Sequence, residues 1–263
     1  MTGWLELVAE LPSITLDQVN QKASLQTRMD RKYVVTPEQW AAVLGSLAAA
    51  PDVLEVDGNR SFRYASTYYD TPHLDSYRRA AHKRPRRYKV RTRHYVDASA
   101  AAIEVKERSI TGTTAKTRHW LTDSDPAVAR TDSRGLSREA REFVASFDAI
   151  ADHVDDLTEV LHTSYERVTL VTHDARVTID QNVAAVDAHG GRMDYGDLLV
   201  VETKSAGGAG TVDRALWAHG IRPARISKYC TSLAALHPEL PSNRWSRTLR
   251  RYVPATAANR AAA

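Results

Sequence analysis

One cysteine, Cys230, stands in 263 residues, so no disulfide can form within the chain, and such usage suits a reducing compartment. No window approaches the ~20 apolar residues that cross a bilayer. The N-terminal MTGWLELVAELP is too short and too acidic for a secretory signal. These absences predict a cytoplasmic protein with no membrane segment in this chain. Several signatures are also missing. There is no GxxxxGK[ST], no HExxH and no CxxC, and the glycines at 207, 208 and 210 lack the lysine of a phosphate-binding loop. The ten histidines are scattered, and no Ser/His/Asp arrangement follows from spacing. Cys230, beside Tyr229, reads as a small buried apolar residue rather than a nucleophile. No repeat and no long linker divides the chain. Acid is missing too: none lies between Asp75 and Asp97, where Arg78, Arg79, Lys83, Arg84, Arg86, Arg87, Lys89, Arg91 and Arg93 fall. A local field of that sign favours phosphate-bearing partners, although the net charge is only +4.

What is present is strand-like. Residues 1–24 read as a helical segment, with a Thr15/Gln18 capping box. A strand over 25–35 precedes a helix that Thr36 caps and Pro37 opens, running to about Ala49. Residues 60–70 form a strand rich in aromatic and β-branched residues, followed by a short helix through Tyr77. A hairpin spans Lys89 to Arg108, and Gly112 turns the chain into a strand at 113–121. Apolar spacing predicts helices at 136–148 and 154–162, with a loop at 131–135. Strands follow at 164–172, 175–180 and 197–205, then helices at 212–219 and 226–236. The basic, Ala-rich tail, 238–263, has no sustained period.

Charge recurs at every second residue on these strands, so it gathers on one face of each. The sets are Arg28/Asp30/Lys32, Lys89/Arg91/Arg93, Glu104/Lys106/Arg108, Lys116/Arg118, Tyr165/Arg167, Arg176/Asp180 and Glu202/Lys204. One such strand is an ordinary solvated face; seven with the same bias are not. Two cations 4 Å apart repel by roughly 4 kcal/mol at an effective dielectric of about 20. A closed barrel with a cationic interior, covered outside by helices at 37–49, 136–148 and 154–162, relieves this if a polyanion fills it. The expected fold is therefore α+β, an eight-stranded antiparallel tunnel with helices packed outside. Phosphate-bound Mg²⁺ or Mn²⁺ takes one or two carboxylates plus substrate oxygens. Glu202 is the first choice of ligand, with Glu104 and Asp30 as helpers; an ion pair between Glu202 and Lys204 is the plainer alternative.

RMDRKY at 28–33, STYYDTP at 66–72, KVRTRHY at 89–95, IEVKER at 103–108, KTRHWL at 116–121, SYERV at 164–168, ARVTID at 175–180, VVETKS at 200–205 and ISKY at 226–229 occur in an order that resembles the VTC domain. This is the polyphosphate polymerase branch of the triphosphate tunnel metalloenzymes, and the resemblance covers a domain at 25–237. It implies ATP and polyphosphate or triphosphate as partners and Mn²⁺ or Mg²⁺ as cofactor. Carried over position by position, it implies catalytic roles for Lys32, Arg91, Arg93, Lys106, Arg167 and Lys228. It implies substrate contacts for Arg28, Lys89, Lys116, Arg118, Tyr165, Arg176 and Lys204, and a metal at Glu202. Asp30 stands where the family usually has Glu, one methylene shorter, and no inositol-phosphate sensor domain accompanies the motifs.

The expected activity is transfer of the terminal phosphate of ATP onto a growing polyphosphate chain, a phosphotransferase reaction. Hydrolysis of triphosphate or nucleotide on the same residues is the alternative, because the attacking oxygen belongs to no side chain. A non-catalytic polyphosphate-binding module is the second. Nucleic-acid binding ranks last, since the basic run at 78–93 carries little aromatic interleaving and no recognition motif.

Overall fold

A computed structural model describes residues 3–23, 28–122, 135–253 and 258–259. In chain order its elements are α1 (Trp4–Ala9), β1 (Ser13–Ile14), α2 (Leu16–Ala23), β2 (Arg28–Val35), α3 (Pro37–Gly45), β3 (Asp52–Leu54) and β4 (Ser61–Asp70). Next come α4 (Asp75–Ala81), β5 (Arg87–Tyr95), β6 (Ala100–Arg108), β7 (Thr114–Trp120), α5 (Arg138–Ala145), β8 (Thr158–Val171) and β9 (Ala175–Asp187). The rest are β10 (Arg192–Asp194), β11 (Leu199–Ala206), α6 (Thr211–Ala218), α7 (Lys228–Leu236), α8 (Ser246–Tyr252) and β12 (Ala258–Asn259). The class is α+β. Eight of the strands form an antiparallel ladder in the order β7-β6-β5-β4-β8-β9-β11-β2. Among the described residues β2 pairs with β11 alone and β7 with β6 alone. The ladder hydrogen bonds therefore leave both strands as edges, where a closed barrel was expected. No helix among the described residues is long and apolar enough to cross a membrane.

The chain clusters into two compact units: Met1–Phe62 with Tyr165–Val183 and Tyr195–Ile226, and Arg63–Ser164 with Ala184–Asp194 and Ser227–Ala263. In the first unit, alternate residues of β2, β11, β9 and β8 turn to one apolar core. Tyr33, Val35, Val201, Leu199, Val177, Ile179, Val168 and Leu170 pack there against Trp4 and Val8 of α1, Trp40 and Val43 of α3, and Leu216 of α6. Full burial of side chains like Leu199 contributes ~1.5–3 kcal/mol each. Thr36 caps α3 as predicted, its hydroxyl accepting from the Gln39 amide at 3.2 Å. The helix stops at Gly45 rather than near Ala49. The Thr15/Gln18 box also forms, the Gln18 amide donating to the Thr15 hydroxyl at 3.3 Å.

Asp213 of α6 ties that helix to the sheet. It is fully buried and accepts hydrogen bonds from the Tyr33 hydroxyl at 2.7 Å, the Thr203 hydroxyl at 2.6 Å, Arg31 Nη1 at 3.1 Å and the Gly210 amide at 2.9 Å. A buried carboxylate is tolerable only with such a full set of donors.

In the second unit the hairpin forms as predicted: β5 and β6 pair from Arg87↔Arg108 to Tyr95↔Ala100. The other face of these strands, Tyr88, Val90, Ile103 and Val105, packs on Leu136, Ala140 and Val144 at α5. The expected helix at 154–162 is corrected. Residues 151–156 form a short 3-10 turn, and 158–171 are one continuous strand. Val154, Leu157, Val160 and Leu161 fit a helical period, but Leu161, Thr163 and Tyr165 are buried while His162 and Ser164 are exposed. That alternation decides, as a short apolar run alone cannot. The first four residues of the expected loop at 131–135 and residues 25–27 of the first expected strand lie outside the described residues. The tail, expected to lack periodic structure, contains α8.

Candidate phosphate-binding site

The second unit gathers its cations around one carboxylate. Register places Arg91 opposite Tyr68 on β4 and Glu104 on β6, and Glu104 opposite Arg118 on β7. Lys89, Lys106 and Lys116 form the next row. Glu104 is 2% exposed. It accepts from Arg91 Nε at 2.8 Å and Nη2 at 2.6 Å. Lys116 Nζ lies at 2.5 Å, Arg118 Nε at 3.4 Å and Arg93 Nη1 at 3.8 Å. Burial opposes its charge, yet Arg91, Arg93 and Lys116 hold the carboxyl well below the usual carboxylate range. In this setting four cations surround the Glu104 carboxylate.

Burial and the positive neighbours Arg93 and Arg91 push Lys116 down to about 7, against the pull of Glu104. Arg93 Nε and the hydroxyl of Ser66, its direct cross-strand neighbour, meet no hydrogen-bond partner among the described residues. Buried polar groups are nearly always paired, and here the Arg93 N–H, the Ser66 hydroxyl and Glu104 Oε1 all lack a hydrogen-bond partner among the described residues.

Aromatic rings brace the cations. Arg91 lies 5.8 Å from the Tyr68 ring centroid, Arg93 5.7 Å from Tyr64 and Lys89 5.7 Å from Tyr229. Arg91 and Arg93 outweigh the burial of Tyr68 and lower its hydroxyl. Tyr68 stacks on Tyr229, whose hydroxyl donates to Asp70 at 2.6 Å. Asp70 also accepts from the amides of Thr71, Ser76 and Tyr77, each at 2.9 Å, which fixes the start of α4 against α7. Lys228 opens α7, and Lys89 Nζ donates to Ser227 at 2.9 Å. Sequence reasoning missed Tyr68, Tyr229 and Asp70 as parts of this cluster. Tyr64, Ser66 and Tyr68 share the period-two spacing, so the signal was present but uncharged.

The first unit gathers a second set. Lys32 lies opposite Glu202, Glu202 opposite Thr178, and Lys204 between Asp30 and Arg176. Glu202 receives the Lys32 ammonium on one oxygen and Lys204 Nζ at 3.3 Å on the other. Burial raises its carboxyl, but Lys32, Lys204 and Arg167 hold it well below its ordinary value. Arg167 is forked onto Asp180, Nε to Oδ1 at 2.6 Å and Nη2 to Oδ2 at 2.9 Å, and lies 5.1 Å from the Tyr165 ring centroid. Asp30 is exposed, and the side chain of Arg28 lies outside the described residues. The other predicted residues thus fall into two sets: Lys32, Glu202, Lys204, Arg176, Arg167 and Tyr165 in the first unit, and Lys89, Arg91, Arg93, Lys106, Lys116, Arg118, Glu104 and Lys228 in the second.

No group of three or more His, Cys, Asp or Glu side chains fit to hold a metal occurs among the described residues. A divalent ion here has only one suitable carboxylate, Glu202, with the buried hydroxyl of Thr178 beside it lacking a hydrogen-bond partner among the described residues. That donor set fits Mg²⁺ or Mn²⁺ arriving with phosphate oxygens and does not fit an all-protein cage.

Several solved structures share part of this architecture. An adenylyl cyclase candidate from Hippeastrum described as having a dominant triphosphatase activity is 12% identical, with a TM-score of 0.49 over 79% of this chain and 96% of its own. An adenylate cyclase candidate from Bacillus halodurans is 14% identical, with a TM-score of 0.48 over 77% and 94%. Another from Vibrio parahaemolyticus is 12% identical, with a TM-score of 0.46 over 80% and 98%. No curated protein matches the chain. The VTC domain family model matches residues 27–237, from β2 through α7. The chain belongs to the VTC domain family, with its CYTH-like triphosphate tunnel fold.

Proposed function

We propose that the chain is a polyphosphate polymerase that holds its phosphate substrates on the cation-lined faces of its antiparallel strands. The observation that carries this reading is the gathering of Arg91, Arg93, Lys116 and Arg118 around one carboxylate, Glu104, with Arg93 Nε and Ser66 Oγ lacking a hydrogen-bond partner among the described residues. Arg91 and Arg93 hold phosphate oxygens, with Lys89, Lys106, Lys116, Arg118 and Lys228 around them. Lys32, Lys204, Arg167, Arg176 and Tyr165 supply the corresponding contacts in the first unit.

A terminal phosphate oxygen of the growing chain attacks the γ-phosphorus of ATP. The bond from that phosphorus to the β–γ bridging oxygen breaks, and ADP leaves with the electron pair. Such a transfer asks the protein for alignment and charge neutralisation, which fits the absence of any nucleophilic side chain among these residues. Members of the family typically use divalent metals. Bound together with substrate at Glu202, such an ion would neutralise charge on phosphate oxygens. Lys32 and Lys204 hold the Glu202 carboxylate ionised and oriented until then.

The test is incubation with ATP and Mn²⁺, followed by gel analysis for chain growth and ³¹P NMR of the products. Chains that lengthen with release of ADP support the reading. Free phosphate without chain growth makes the protein a hydrolase, and no turnover together with salt-sensitive binding that Glu202→Ala leaves unchanged makes it a binding module.

A further inference from the structure

Beyond the Glu104 cluster, the β5–β6 hairpin continues as opposed pairs of like charge. Lys89 faces Lys106, and Arg87 faces Arg108. Directly opposed like charges on antiparallel strands are destabilising, so the Arg87–Arg108 pair calls for a counter-charge. The last pair opens into a cleft of about 720 Å³ in the second unit, the size range of small-ligand sites. Arg79, Arg86, Arg87 and Arg108 line it, around the ring of Tyr88.

None of these four arginines makes a salt bridge with a carboxylate among the described residues. Glu107 and Asp148 also line the cleft and offset only part of the charge. Arg87 is pushed down by burial and by its neighbours Arg244 and Arg108, the mark of positive charge without enough negative charge nearby. Tyr88 is 3% exposed, and its hydroxyl meets no hydrogen-bond partner among the described residues. The loop at 109–113 is shaped around Arg108. Gly112 has φ of +85°, and a Cβ there would come within 3.3 Å of Arg108 Nη2.

We propose that this cleft is an accessory site for a linear oligophosphate, distinct from the Glu104 cluster. Its arginines take phosphate oxygens in pairs, and the Tyr88 hydroxyl supplies a further donor. The proposal rests on the proposed function for the source of the chain, but the site itself can be read by binding alone. Two sources share this chemistry: the outgoing end of the product and a free polyphosphate chain from solution.

The decisive variant is Arg86→Ala with Arg108→Ala, both at exposed positions where folding is not at stake. Affinity for long-chain polyphosphate is expected to fall about tenfold with a shallower salt dependence, while affinity for tripolyphosphate stays unchanged. Equal loss for both ligands, or no loss for either, overturns the proposal. Arg91→Ala is the control for the primary cluster. If it leaves tripolyphosphate binding intact, the proposed function fails, while a selective loss of long-chain binding in the double variant still supports the cleft. In chain-growth assays, shorter products at an unchanged initial rate identify the outgoing chain as occupant. Products of normal length at an unchanged rate, together with the loss of long-chain binding, identify a free polyphosphate chain from solution as occupant.

Discussion

Replacing Glu104 with Gln keeps the shape of the side chain and removes the one negative charge that Arg91, Arg93, Lys116 and Arg118 share. Taking one partner from a buried ion pair costs ~3–5 kcal/mol, because the other charge stays buried and uncompensated. Arg91 and Arg93 have side chains 23% and 10% exposed and carry most of that cost. Arg118, at 38%, relaxes into solvent and adds little, ~0–1 kcal/mol, and Lys116, already held down to about 7, sheds its proton rather than stay as an uncompensated charge. The expected loss is therefore near the lower end, about 3 kcal/mol. For a chain of this size each kcal/mol corresponds to ~2–4 °C, so Tm should fall by about 6–12 °C. A phosphate ligand reverses the sign of the argument, because it supplies the missing charge. Thermal unfolding with saturating tripolyphosphate should raise Tm more in Glu104→Gln than in the unaltered protein. A Tm unchanged by the substitution, or a smaller ligand-induced rise, would refute the reasoning. If Glu104 were instead a metal ligand, the variant would lose stabilisation by Mn²⁺, which is expected to be unaffected.

Triphosphate binding near pH 7.5 should take up a proton at Lys116, whose neutral form is favoured by burial and the surrounding arginines until an anion arrives. Calorimetry in buffers of different ionisation enthalpy reads this directly, and Lys116→Arg should abolish the uptake. The same lysine sits in the folded chain at about 7, below its ordinary value of 10.5, so between these values the unfolded state binds more protons and its contribution to stability rises with pH. Glu104 and Glu202 act in the same sense in a lower pH window. Their folded values are depressed, so their contribution is fully present above the ordinary carboxylate value, ~4.3, and is lost as pH falls below it towards the folded values; acid titration followed by circular dichroism should show this loss. Asp213→Asn should cost about 3 kcal/mol through the buried pair with Arg31, lowering the urea midpoint while leaving tripolyphosphate affinity unchanged.

How much of this was legible beforehand follows from the range of the forces involved. Strand periodicity is local, so the sequence alone identified which of Lys89, Arg91, Arg93, Glu104 and Lys106 share a face, and the Thr36 cap and the Gly112 turn were equally readable. The family was legible too, because its motifs keep their order along the chain. Register and strand order are not local. They brought Tyr68 beside Arg91, stacked Tyr229 on Tyr68, and placed Glu104 among a set of cations. The segment at 158–163 was misread because its apolar spacing suits a helix, and only pairing within the sheet commits it to a strand. Asp213 gave no signal at all: a lone aspartate near a helix start has many ordinary roles. Its meaning depends on three donors, Arg31, Tyr33 and Thr203, that lie far from it in sequence and meet it only when β2 and β11 pair beneath α6. The sequence by itself determined the charge of the face and its period; the tertiary structure decided which charges are spent on one another and which are left for a ligand.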